Sequence, residues 1–146
     1  MAQSAQTGAA REAGVSVRVL HAAAAGAEEV LSADGFLFAT PENLAAISGQ
    51  LKDFFDRTYY ACLEQLNGRP YAALICAGSD GQNAARQLAR IATGWRLKPV
   101  APPLIICTHA QSAEAILRPK QIAAADLLRC EELGAMLAAG IGMGIF

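Results

Sequence analysis

The sequence predicts an open, doubly wound α/β domain: a parallel sheet with helices on both faces. Three observations predict it. Continuous apolar runs of strand length recur at "GFLFAT" (35–40), "YAALICA" (71–77) and "LIICT" (104–108). Stretches with helical spacing of apolar residues separate them, and a polar, glycine- or proline-bearing turn follows each run. Strands alternating with helices imply parallel pairing with right-handed crossovers, and strands without period-two alternation imply burial on both faces.

Each element has its own signal. Residues 1–13 are rich in alanine and other helix formers, with Gly14 where a C-cap glycine stands, so they read as the end of a helix. "VSVRVL" (15–20) alternates Val15, Val17 and Val19 with Ser16 and Arg18, which predicts a strand at an edge of the sheet. "AEEVLSAD" (27–34) is long enough for two helical turns. Asn43 or Ser48 can cap the next helix, whose stripe is Leu51, Phe54, Phe55, Cys62, Leu63 and Leu66 and whose wet face is Lys52, Asp53, Asp56 and Arg57. Asn67-Gly68-Arg69-Pro70 ends it. Helical spacing resumes over 84–92, prolines 99, 102 and 103 break the chain, and a last helix is predicted from about Lys120 to Ala139. The tail "GIGMGIF" reads as flexible glycine spacing around apolar anchors.

A chain of 146 residues forms one domain, 1–146, with one core that buries roughly two-thirds of its unfolded surface. Hydrophobic residues are 53% of the whole, yet no uninterrupted apolar run approaches the ~20 residues of a membrane span, so a soluble protein is expected. The net charge of −1 gives no basic footprint for nucleic acid or anionic lipid. Cys62, Cys76, Cys107 and Cys130 lack metal-ligand spacing and read as small buried hydrophobes of a reducing cytoplasm. The first residues lack the basic start and apolar core of a signal peptide, so a cytoplasmic location is expected.

The turns after residues 40, 78 and 108 fall at the carboxyl ends of the strands, where open α/β sheets hold ligands. Thr40-Pro41-Glu42-Asn43 offers a hydroxyl, a carboxylate, an amide and backbone N–H groups, with Pro41 fixing its own φ. Gly78-Ser79-Asp80-Gly81-Gln82-Asn83 adds polar side chains and glycines that permit close backbone approach. Such groups suit a planar ring with a polar edge. The same residue types also make ordinary solvated turns that cap helices, and the residues alone leave both readings open. There is no G-x-S-x-G, no P-loop and no G-x-G-x-x-G after a strand. His21 and His109 read as polar strand ends, and Trp95, Tyr59 and Tyr60 as packing or subunit-interface aromatics.

The stretch "DGFLFATPENLAAISGQLKDFFDR" resembles the signature of flavodoxin-fold NAD(P)H-dependent FMN oxidoreductases and quinone reductases, D-G-x-x-x-G-T-P followed by S-G-x-x-K-x-F-x-D-R. Asp34, Gly35, Thr40, Pro41, Ser48, Gly49, Lys52, Phe55, Asp56 and Arg57 match it, and Ala39 replaces the glycine before Thr-Pro. The similarity runs over about residues 14–146. It implies noncovalent FMN and NAD(P)H as electron donor, with Thr40, Pro41, Glu42, Asn43 and Leu44 on one side of the isoalloxazine and Gly78, Ser79, Asp80 and Gly81 on the other. The flavin carries the redox chemistry, so no catalytic acid or base and no metal ligand is expected. The implied activity is that of a quinone or flavin reductase with a small-molecule electron acceptor, in a homo-dimer or tetramer.

That family begins with an apolar strand, a Ser/Thr-rich loop that cradles the FMN phosphate, and a helix. The 14 residues before Val15 hold no such strand; the best alignment places Met1 inside the first helix, and a competing one makes Ser4, Gln6, Thr7 and Gly8 a remnant of the loop. Three consequences are open: "VSVRVL" moves over to pair with "GFLFAT", another molecule supplies the strand, or this chain starts late relative to its ancestor. Without the cradle, FMN affinity is expected to fall, and the alternative function is a binding or assembly module with weak or no flavin and no redox activity.

Overall fold

The computed structural model describes residues 1–146. Its long strands are β1 (Phe36–Asn43), β3 (Pro70–Ala77) and β5 (Leu104–Cys107), with two-residue strands β2 (Ala46–Ile47) and β4 (Lys98–Pro99). β3 is the centre: β1 runs parallel on one side, and β4 and then β5 run parallel on the other. β2 folds back antiparallel on the tip of β1. The helices are α1 (Ala2–Ala9), α2 (Ala27–Ser32), α3 (Gly49–Cys62), α4 (Gln82–Gly94), α5 (Ala113–Leu117) and α6 (Ala124–Gly142). No helix is long and apolar enough to cross a membrane.

Alternation along the strands sorts the core into two layers. Phe38, Tyr71, Ala73 and Ile75 face α2, α3 and α4, where Phe54, Phe55, Leu88 and Trp95 complete the larger cluster. Trp95 meets Phe55 edge-on at 5.1 Å between ring centroids, so it is a core residue. Leu74 and Ile106 face the other way, against Ala5 of α1 and Cys130 of α6. Those two helices touch through glycines: a Cβ at Gly8 would overlap the Glu131 carbonyl, and one at Gly134 the Ala5 carbonyl.

The family-like residues of α3 have visible structural work. Ser48 is the N-cap, its Oγ accepting the Leu51 N–H at 3.3 Å. Lys52 pairs with Asp56 one turn later at 2.6 Å. Arg57 binds Asp53 and reaches the carbonyls of Ala22 and Ala25 at 3.0 and 3.3 Å, tying down the turn before α2. Arg69 donates to the Val30, Leu31 and Ala33 carbonyls at 3.0, 2.9 and 2.5 Å, which satisfies the open C-terminus of α2.

Several expectations need correction. Residues 15–20 are not a strand: Ser16–Leu20 make no backbone hydrogen bond, because no neighbouring strand lies beside them to complete a ladder. "VSVRVL" has therefore not moved over to pair with β1. Ser4, Thr7 and Gly8 lie within α1, where the Thr7 hydroxyl bonds the Gln3 carbonyl, so they form no loop remnant. The helix predicted to run to Leu66 stops at Cys62, leaving Leu63 exposed while Leu66 folds back into the core. The tail is less free than its glycines suggest, since the Phe146 ring occupies the space a Cβ on Gly140 would need. β4 and α5 carry no signal beyond single residues and are not anticipated.

Candidate functional site

Strand β1 continues through Thr40-Pro41-Glu42-Asn43, the four residues expected to form a turn. The turn comes one step later. Asn43 pairs with Ala46, so Leu44 and Ala45 alone reverse the chain, with φ of +50° and +60°. A two-residue hairpin loop with both central residues left-handed is the type I′ geometry normally given to Asn-Gly. Leucine and alanine there cost about 1–2 kcal/mol each. Leu44, held in this conformation, is fully exposed.

The second turn, after β3, is shaped by Gly81, whose φ is +76° and whose missing Cβ would stand 2.5 Å from Ile105 Cγ2. Only glycine fits both demands. Gly81 is the N-cap of α4 and brings no side-chain cap, so the first N–H groups of that helix stay open at the rim. Ser79 and Asp80 are exposed, and their backbone N–H groups bond nothing else in the chain.

The two turns are joined. Glu42 Oε2 accepts the Gly81 N–H at 3.0 Å, and Asn83 Nδ2 donates to the Ala45 carbonyl at 2.6 Å. Behind them Gln87 Oε1 accepts the Ile47 N–H at 2.9 Å. Thr40 is buried; its Oγ accepts the Ser48 N–H at 3.0 Å and donates to the Pro41 carbonyl at 2.9 Å, so it braces the hairpin from inside. The third turn leans on the second: the Thr108 N–H and Oγ both donate to the Ala77 carbonyl, at 2.9 and 3.2 Å. His109 is exposed with a φ of +53°.

Thus Thr40, Glu42 and Gly81 form the frame of the rim, while Pro41, Asn43, Leu44, Ser79 and Asp80 present its open surface. Gly78 lies between the second and third turns, with the Ala110 carbonyl 3.6 Å from where its Cβ would be. The donor set of open amides, an amide side chain and a hydroxyl fits the polar edge of a planar ring. None of these rim side chains is cationic. Beside Ala39, Thr40 and Pro41 an open cavity of about 220 Å³ is lined otherwise by Met1, Leu74 and Cys76, with no cationic side chain and no spare hydroxyl. Sequence reasoning misses Gln87 and Ala45; the placement of Gln87 one turn after Asn83 on α4 is the signal that would have found the first.

The thiols behave as packing groups. Cys62 and Cys130 are buried and Cys76 half-buried, and burial raises all three above the usual thiol range. The chain holds no cluster of side chains suited to a metal ion.

Residues 12–112 match the family described as NADPH-dependent FMN reductase. Among solved structures, a flavodoxin from the domain Archaea superposes with a TM-score of 0.75 at 17% identity, over 97% of this chain and 87% of that one. A flavodoxin, WrbA-like protein from Agrobacterium tumefaciens gives 0.73 at 17% identity, over 97% and 87%. An NADPH-quinone reductase from P. pentosaceus gives 0.61 at 14% identity, over 90% and 87%. Identities this low carry the fold alone. No curated protein matches the sequence. The family match takes in well over half of the 146 residues, and with the joined rim at the carboxyl ends of β1 and β3 it supports one conclusion: the chain belongs to the NADPH-dependent FMN reductase family, oxidoreductases built here on a flavodoxin-like fold.

Proposed function

We propose that the protein is an FMN-dependent NAD(P)H oxidoreductase of the quinone or flavin reductase type. The observation that carries this reading is the pair of hydrogen bonds, Glu42 to Gly81 and Asn83 to Ala45, that hold the two turns as one preformed rim. Preformed donors cost little further ordering when a ligand arrives. Bound FMN would supply the hydride-accepting chemistry. The chain's own residues bind and orient: the open N–H groups of Ser79 and Asp80 donate to the ring edge, Pro41 and Leu44 cover its apolar part, and Asn43 supplies an amide. Cytoplasmic location and association as a dimer or tetramer belong to the same proposal; Tyr60, Met143 and Ile145 are the exposed apolar residues available for contacts between copies.

The cavity beside Thr40 favours a second reading, in which the rim takes a flavin ring weakly and the chain serves as a binding module. Titrating the purified protein with FMN while following quenching of flavin fluorescence, then measuring NADPH oxidation with a quinone acceptor, separates the two. Saturable quenching with quinone-dependent oxidation supports the reductase. Saturable quenching without oxidation supports the second reading, and no quenching at high FMN removes the first.

A further inference from the structure

Two arginines on α4 have no anionic partner. Six of the twelve lysines and arginines pair with a carboxylate within 4.0 Å. Arg69 and Lys120 cap backbone carbonyls, and Arg18 bonds Ser32. Arg86, by contrast, meets only the neutral Asn83 Oδ1, at 3.4 Å, and Arg90 and Lys98 are exposed and form no ion pair. α4 holds no acidic residue, so the like charges of Arg86 and Arg90, one turn apart, repel with nothing on the helix to offset them.

Their placement ties them to the joined turns. Asn83, Arg86, Gln87 and Arg90 stand at i, i+3, i+4 and i+7 and so share one face of the helix. That face abuts the hairpin: Asn83 Nδ2 donates to the Ala45 carbonyl at 2.6 Å, and Gln87 Oε1 accepts the Ile47 N–H at 2.9 Å. The bond from Arg86 Nη2 to Asn83 holds its guanidinium on the hairpin side of the rim. At 1.5 Å of rise per residue, Arg90 stands about 10 Å further down the helix than Asn83. The two guanidiniums form a cationic track that begins at the joined turns and leads away from them along α4.

We propose that Arg86 and Arg90 bind the adenosine 2′-phosphate of NADPH and thereby select NADPH over NADH. The inference rests on the reductase reading, which brings the nicotinamide to the rim. A dinucleotide held there carries its adenosine at the opposite end of the molecule, so the track puts charge where the two cofactors differ. A phosphomonoester carries about −1.5 to −2 charge at pH 7, which two guanidiniums match, and their planar donors pair with its oxygens bidentately. NADH has a hydroxyl at that position and leaves both arginines unpaired. FMN also carries a phosphomonoester, and the experiment separates the two sources.

The test is calorimetric binding of 2′,5′-ADP and 5′-AMP to the whole protein, without flavin and at low ionic strength, so that no turnover enters. 2′,5′-ADP is expected to bind at least about tenfold more tightly. Arg86→Ala combined with Arg90→Ala should erase the difference, and Arg86→Lys should keep part of it, because the charge stays while the planar fork is lost. Lys98→Ala removes an exposed, unpaired cation outside the stripe and should leave the preference intact. The ratio of FMN to lumiflavin affinity should be the same in the double variant as in the unaltered protein. Equal binding of the two nucleotides, a preference that survives loss of both arginines, one lost equally in Lys98→Ala, or a fall in FMN affinity relative to lumiflavin in the double variant would each overturn the proposal. Lumiflavin reads the rim separately. A rim that takes lumiflavin while the two nucleotides bind alike removes this proposal alone, whereas an arginine-dependent preference without lumiflavin binding supports the phosphate site and removes the reductase reading.

Discussion

The Glu42 carboxylate holds the Gly81 backbone N–H at 3.0 Å across the gap between two strands' turns, 39 residues apart in the chain. A residue offered by the sequence as a ligand contact is therefore engaged by the protein itself. Its role is to set the spacing of the rim, and the amides beside Gly81 are left to meet a ligand.

Removing that carboxylate should loosen the rim without unfolding the domain. Glu42→Ala is expected to lower stability by about 1 kcal/mol, since the bond is charge-assisted but only half-buried. Urea denaturation measures the loss, and faster exchange of the Gly81 amide localises it. Glu42→Gln, which keeps a carbonyl acceptor, should lose less than the alanine variant. Equal losses would mean the carboxylate's charge and not its bond to Gly81 is what matters.

The hairpin tip stores strain that a turn sequence can release. Replacing Leu44-Ala45 by Asn-Gly should stabilise the domain by about 1 kcal/mol, because those residues accept positive φ that leucine and alanine resist. Thermal unfolding reads it. A drop in melting temperature would show that the exposed Leu44 side chain or the Ala45 carbonyl bond from Asn83 contributes more than the backbone strain removes.

At the contact between α1 and α6, steric contact and helix propensity make opposite forecasts. Propensity favours alanine over glycine in mid-helix by about 1 kcal/mol. Steric overlap of a Cβ with the Ala5 carbonyl says that Gly134→Ala must instead destabilise, by about 1–3 kcal/mol. A stabilised variant in chemical denaturation would show that the helices are not in glycine contact.

Alkaline solution should weaken the fold ahead of ordinary surface titration. Burial raises Cys62, Cys76, Cys130 and Tyr71 above their usual values, so the folded state holds these protons more tightly than the unfolded chain. Stability from this source is complete below the unfolded thiol range of about pH 8.5 and is lost as pH rises through the folded values. Denaturation midpoints from pH 7 to 10 should fall, and the fall should shrink in a Cys62→Ala, Cys130→Ala variant after allowance for its lost packing.

Local signals were legible where they decide structure by themselves. Ser48 caps α3 because a serine followed by a good amphipathic stripe suffices, and the interior strands announce themselves by unbroken apolar runs. "VSVRVL" fails for a nonlocal reason: its alternation is real, but a strand is defined by a partner, and no strand lies beside it. Thr40–Asn43 has turn-like composition and yet stays extended, because pairing of Glu42 with Ile47 prolongs β1 and moves the reversal to Leu44-Ala45. The candidate residues gather on one rim at the carboxyl ends of β1 and β3, whereas their division into frame and open surface needed coordinates, since the bond from Gly81 to Glu42 leaves no mark in either segment.

Amide chemical shifts of the isotope-labelled protein, followed during titration with lumiflavin, which carries the ring without the phosphate, test most directly whether the joined turns receive a flavin edge. Saturable shifts confined to Asn43–Ala45 and Ser79–Asn83 are the expected result. Saturable shifts elsewhere, or none in those two turns at high ligand, would contradict it.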